Sequence, residues 1–236
     1  MIDTFIALDL ETTGLSPVDD RIIEIGAVKI VDGVIVDTFN ELVNPNKEIS
    51  QVITNITGIT NKDVENAKSF DEICGNLIEF LSDYPILGHN IIMDYSMLKE
   101  SFYRCGIKYN TKGIDTLLIA RKLLPHLEKR NLTYLTEYFN IEVSEHHRAY
   151  SDALASYELY KILSNMVIDG DTDILEPKDL VYKIKKVSKI TVKQLAFLNK
   201  LITRKNVVID KELESLTKSE ASRLIDQILS GSYRSV

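Results

Sequence analysis

The first 43 residues hold three apolar, β-branched runs with very little chain between them, and this narrows the folds open to the sequence more than any other feature. Phe5 to Leu10 (FIALDL) is short and apolar and reads as a buried strand. Ile22 to Val31 and Val34 to Val43 are separated only by Asp32-Gly33, a two-residue hairpin signal. Three strands so closely spaced pair as an antiparallel meander. Helices follow. Thr60 to Asp63 and Ser69 to Glu72 have the capping-box form and predict helix starts near 61 and 70. Pro85 to His89 predicts a short buried strand, and Met93 to Tyr103 a helix that stops at Gly106. Further helices are predicted over 115–124, 132–139 and 150–165. Strands first, then strands alternating with helices, predict an α/β fold with a mixed sheet flanked by helices.

Charge divides the chain. Residues 176–236 contain 13 basic and 7 acidic side chains, net +6; the rest contains 15 basic and 28 acidic, net −13. The acidic stretch 168–178 (IDGDTDILEPK), with Gly170 and Pro177, is expected to be a linker. It separates an N-terminal domain over 1–167 from a small, basic, helical tail over 179–236. Asp169, Asp171 and Asp173 are spaced like calcium-loop ligands, but the loop glycine is missing and Leu180 stands where the closing Glu belongs. In the tail, Thr191 to Gln194 and Thr217 to Glu220 are two more capping boxes, each opening an amphipathic helix. Lys183, Lys185, Lys186, Lys189 and Lys193 form a basic stretch that could hold a nucleic-acid strand. With few aromatic residues for base stacking, a helical hairpin with solvated lysines is the reading preferred for it.

No apolar run approaches the length of a membrane span, and the start, MIDTFIALDLE, has an early acid and no basic leader. No membrane partner is expected. Cys74 and Cys105 fit no metal-site spacing and are too few for a disulfide framework, so a reducing cytoplasm is the expected compartment. A net charge of −7 argues against a passive nucleic-acid coat but not against an enzyme whose own cations neutralise its acids.

The chemistry lies in three short segments: DLETTGL (9–15), HNIIMD (89–94) and HRAYSD (147–152). Asp9 and Glu11 are two apart in a strand, so they share one face, about 7 Å apart. Two acids ending an apolar strand either reach water or bind a cation. Thr12-Thr13-Gly14-Leu15 is a turn of small residues whose amides and hydroxyls could hold a nucleotide or phosphate. Asp94 falls in the first turn of a helix, where it would complement the dipole or serve as a ligand at a strand end. Asp152 opens the last long helix of the domain. His146 and His147 precede it in a polar turn, and either imidazole could take a proton from an attacking water. Residue chemistry alone does not choose between them.

Together the segments resemble the DEDD, or DnaQ-like, family of 3′–5′ exonucleases. Asp9 to Leu15 is similar to that family's first motif over its whole length, His89-Asn90 with Asp94 to the second, and His147 to Asp152 to the third. The loop Asn55 to Thr60 (NITGIT) is similar to one preceding the second motif. Position 148 is Arg and position 147 is His, so the chain resembles the histidine branch, and the resemblance selects His147 over His146. It implies a ribonuclease-H-like, mixed five-stranded sheet and two Mg²⁺ or Mn²⁺ ions about 3.5–4 Å apart. It implies that Asp9 bridges both ions, that Glu11 and Asp152 complete one site, that Asp94 supports the other, and that His147 is the base. Thr12, Thr13, Gly14 and Leu15 would contact the terminal nucleotide, with His89 and Asn90 beside the substrate. The implied partner is nucleic acid with a free 3′ end, single-stranded DNA ahead of RNA. The implied setting is proofreading or repair, acting in trans or as a subunit with a polymerase or other replication protein. A nucleic-acid-binding subunit without catalysis is the reading from another class, and the presence of all four acids and the histidine counts against it.

Overall fold

The computed structural model describes residues 2–143, 148–167, 172–184, 188–209, 212–231 and 233. The chain forms two compact units, 1–184 and 185–236.

The first unit is built on a mixed sheet. Strand β1 (Phe5–Thr12) lies between β2 (Ile22–Val31) and β4 (Ile86–Gly88), β3 (Val34–Leu42) flanks β2, and β5 (Lys112–Asp115) follows β4. The β3-β2-β1 meander is antiparallel, and β1, β4 and β5 run parallel. The Asp32-Gly33 turn closes the hairpin with both residues at positive φ, 52° and 73°, as a two-residue turn of matching twist requires. The sheet has six strands rather than the expected five. The sixth, β6 (Lys178–Asp179), pairs antiparallel with β5 at Lys112 and Gly113. Two charged residues carry no strand pattern, and β6 exists because the edge of β5 offers free backbone groups.

Alternation along β1 sorts two cores. Ile6, Leu8 and Leu10 point to one face, packing with α3 (Phe70–Leu81) and α4 (Ile92–Arg104) through Leu77, Leu81, Tyr95, Leu98 and Phe102. Phe5 and Ala7 point to the other, packing with α5 (Thr116–Leu123), α6 (Leu132–Tyr138) and α7 (Ala149–Asn165) through Ile119, Leu135, Leu159 and Tyr160. Both capping boxes form, at Thr60 for α2 (Asn61–Val64) and at Ser69 for α3. A helix the sequence reading omitted, α1 (Gln51–Thr57), is held between the Ser50 N-cap, which accepts from Ile53 N–H, and Gly58 at φ 73°.

In the second unit, α8 (Val192–Lys205) and α9 (Lys218–Ser230) both start with the expected capping boxes. They pack through Leu198, Leu201, Ala221 and Ile228, with Leu216 from the segment between them, and the Gln194 side-chain amide donates to the Lys218 carbonyl. Among the described residues no helix is long and apolar enough to cross a membrane.

Candidate active site

The odd-numbered row of β1 that begins with Phe5 and Ala7 ends with Asp9 and Glu11, so both carboxylates emerge on the α7 side of the sheet. Directly across the ladder from Asp9 is Gly26. A methyl group there would stand 2.1 Å from the Ala149 carbonyl carbon and the Tyr150 nitrogen. The first turn of α7 thus rests on bare backbone, which brings Asp152 down to β1. One oxygen each from Asp9, Glu11 and Asp152 lie within 4.8 Å of one another.

Asp94 arrives from the other face. The Ile6 N–H donates to the Pro85 carbonyl, so even-numbered amides of β1 point toward β4. But β4 ends at Gly88, and the Leu10 N–H is taken by Asp94 Oδ1 at 3.1 Å. That bond anchors Asp94 to the strand between Asp9 and Glu11. Four acids from three distant segments thereby converge at one end of the sheet. His147 and His146 lie outside the described residues; Arg148 and Asp152, on the near side of that gap, are placed.

Crowding shows in the acids' proton affinity. Glu11 is pushed up to about 8, first by burial, then by the charges of Asp152, Glu24 and Asp94. Asp94 is pushed up to about 7, chiefly by burial, against the pull of its two backbone hydrogen bonds. Asp9 is raised well above the usual carboxylate range by burial and then by Asp94, Asp152, Glu11 and Glu24. Clustered, oxygen-rich acids that resist ionising together fit a divalent cation, which takes hard oxygen donors and supplies the missing positive charge.

Groups whose folded values are raised stabilise the fold below their ordinary values, 3.8 for Asp94 and 4.5 for Glu11, and that contribution is lost as pH rises through about 7 and about 8. Protein kept in EDTA is expected to melt at a lower temperature at about pH 8 than at about pH 6, and Mg²⁺ to remove most of that difference. A melting series in both conditions checks this. A metal-free melting point flat or rising over that range contradicts it.

The turn after β1 is held by Asp20, which the sequence reading passed over. This buried carboxylate accepts from Thr13 Oγ1 at 3.3 Å and Ser16 N–H at 2.9 Å, and pairs with Lys47 at 2.9 Å. Gly14 sits against it, since a Cβ there would come 2.5 Å from Asp20 Oδ2. Thr12 Oγ1 donates to the Gly14 carbonyl at 2.8 Å, and Leu15 is 81% exposed at the tip. His89 has both ring nitrogens taken within the protein. Nδ1 is 2.9 Å from Thr116 Oγ1 and Nε2 is 2.7 Å from the Arg130 carbonyl. Burial lowers its pKa, and the two contacts tie the loop after β4 to the start of α6. Asn90 is exposed at φ 68°, its N–H given to Asp115 Oδ1 at 3.0 Å. Asp115 also caps α5. Glu24 on β2 is a fifth acid at the centre that sequence reasoning missed, although a lone acid inside the apolar run Ile22 to Ile25 was a signal of its presence.

Known proteins are similar to this chain. The exonuclease model named for RNase T matches residues 6–160. A PolC-type DNA polymerase III of Clostridium perfringens is 36% identical over 214 residues, covering 91% of this chain and 15% of that protein. One of Caldanaerobacter subterraneus subsp. tengcongensis is 33% identical over 240 residues, covering 97% of this chain and 17% of that protein. The chain thus spans only a small part of the length of these relatives. Among solved structures, exonuclease X in complex with 5′ overhanging duplex DNA superposes with a TM-score of 0.58 at 24% identity, covering 73% of this chain and 99% of that one. E. coli exonuclease I in complex with a dA16 oligonucleotide gives 0.61 at 22% identity, covering 70% and 41%. At such identities these structures establish a common fold. With residues 6–160 matched and the three acid-bearing segments folded into one centre, the chain belongs to this exonuclease family.

Proposed function

We propose that the chain is a metal-dependent 3′–5′ exonuclease that removes nucleoside 5′-monophosphates from the 3′ end of single-stranded or frayed DNA. The observation that carries this is the convergence of Asp9, Glu11 and Asp152 within 4.8 Å, with Asp94 hydrogen-bonded to the intervening Leu10 amide. Asp9, Glu11, Asp94 and Asp152 would hold two Mg²⁺ or Mn²⁺ ions. When bound, such ions polarise the scissile phosphate and ease deprotonation of the attacking water. His147 would take that proton as the general base. Thr12, Thr13 and Gly14, in the turn braced by Asp20, and Leu15, exposed at its tip, would contact the terminal nucleotide. Asn90, exposed after β4, would meet the substrate strand. The PolC-type relatives support a proofreading setting beside a polymerase, and the oligonucleotide-bound exonuclease I fold supports single-stranded DNA as substrate.

The test is digestion of a single strand labelled at either end. With Mg²⁺ the 3′ label is expected to leave first as a mononucleotide while the 5′-labelled strand shortens stepwise, and EDTA should stop both. Release that survives EDTA, or mononucleotide appearing first from the 5′ label, contradicts the proposal. An RNA strand of the same sequence is the comparator, and a preference for it above about 20-fold would make contacts to the 2′-hydroxyl the determinant and overturn the DNA reading.

A further inference from the structure

Glu24 is an acid the centre contains and the reaction does not call for. It is 1% exposed and faces Glu11 directly across the β1–β2 ladder. Like charges at paired positions repel, and a buried carboxylate needs partners. All its partners shown come from the start of α7. Arg148 Nε lies 3.0 Å from Oε1 and 3.2 Å from Oε2, Arg148 Nη2 lies 2.6 Å from Oε1, and the Ala149 N–H donates to Oε2 at 3.0 Å. Two residues along the same strand, Gly26 bears the backbone of Ala149 and Tyr150. The first turn of α7 is therefore pinned to β2 at two adjacent points, and Asp152 follows Ala149 by three residues on the same helix.

We propose that Glu24 is a positioning residue: through Arg148 and the Ala149 amide it sets where the Asp152 carboxylate stands relative to Asp9 and Glu11. Arg148 in turn neutralises Glu24, which keeps a fifth acid from competing for the cations. The inference rests on reading the cluster as a divalent-cation site, and it is independent of which end of a strand is digested. Partners that orient a ligating carboxylate typically change metal affinity or activity by about 10–100-fold when removed.

The experiment compares wild type, Glu24→Gln, Arg148→Met and the double variant. Mn²⁺ binding is read by calorimetry, kcat and KM on an oligonucleotide, and folding by thermal melting. Glu24→Gln keeps side-chain shape and an acceptor for Ala149; Arg148→Met keeps Glu24 as the helix cap, so one of them reports even if the other folds poorly. Each single variant is expected to bind Mn²⁺ about 10-fold more weakly and to lose kcat by at least as much, with KM within about twofold. The double variant should be no worse than about twofold below the weaker single, because both act through one contact. Mn²⁺ affinity and kcat within about twofold of wild type in a folded single variant, whatever its melting point, would overturn the proposal. So would losses that multiply in the double. The Mn²⁺ readings need no turnover, so a wild type that binds Mn²⁺ and releases no nucleotide defeats the exonuclease reading and leaves this one to be judged separately.

Discussion

Asp9→Asn is expected to cut Mg²⁺-dependent nucleotide release by at least about 10³-fold, which is about 4 kcal/mol of barrier, while raising the melting temperature of the metal-free protein near pH ~8. The two effects share one cause. Asp9 is surrounded by Asp94, Asp152, Glu11 and Glu24, each of which opposes its ionisation. Its charge is useful only when cations are present and is a burden when they are absent. The amide keeps the shape, removes the burden and removes a carboxylate that the proposed cations would need. For a chain of this size each kcal/mol of relief is worth roughly 2–4 °C. Nucleotide release under defined Mg²⁺ and melting in EDTA check the two halves. An active Asp9→Asn enzyme would show that the centre lies elsewhere, and a lower metal-free melting point would show that the acids do not repel as described.

Gly26→Ala is expected to be nearly as damaging, although the residue carries no chemistry. Its added carbon would meet the Ala149 and Tyr150 backbone at 2.1 Å, a distance no side-chain rotation relieves. Either β2 bends or α7 lifts, at a cost of about 1–3 kcal/mol for forced overpacking. If α7 lifts by about 1 Å, Asp152 moves with it, and a displacement of that size can cost about 10²-fold in rate. Gly33→Asn is the control. It sits in the β2–β3 turn with no neighbour near its absent Cβ, and Asn tolerates the positive φ. Melting curves and kcat for the two variants decide the matter. Wild-type kcat in Gly26→Ala would mean that α7 does not take its position from this contact.

How much of this could be read beforehand follows from where each element's information sits. The β1 to β3 meander was legible because its apolar runs and its Asp32-Gly33 turn are local signals. The helix starts at Thr60, Ser69, Thr191 and Thr217 were legible because a capping box is complete within four residues. Strand β5 was not, because Lys112-Gly-Ile-Asp115 has no apolar alternation and forms only by lying parallel to β4. Helix α1 was hidden by its own Val52, Ile53, Thr54 and Ile56, β-branched residues of modest helix propensity that the caps at Ser50 and Gly58 override. The acids of the centre were legible as spaced motifs. Their supports were not: Glu24 meets Arg148 across 124 positions, and Asp20 meets Lys47 across 27. His89 shows the converse. Its motif drew it toward the substrate, while burial and two ring contacts assign it to holding the loop.

Asp9, Glu11, Asp94 and Asp152 are proposed to form one cradle for a pair of divalent cations. Anomalous diffraction from crystals soaked in Mn²⁺ tests it most directly. Two peaks about 3.5–4 Å apart are predicted at the end of β1, within ligand distance of the carboxylates of Asp9, Glu11, Asp94 and Asp152. Mn²⁺ bound away from Asp9, or no ordered Mn²⁺ at the end of β1 under concentrations that support nucleotide release, would contradict it.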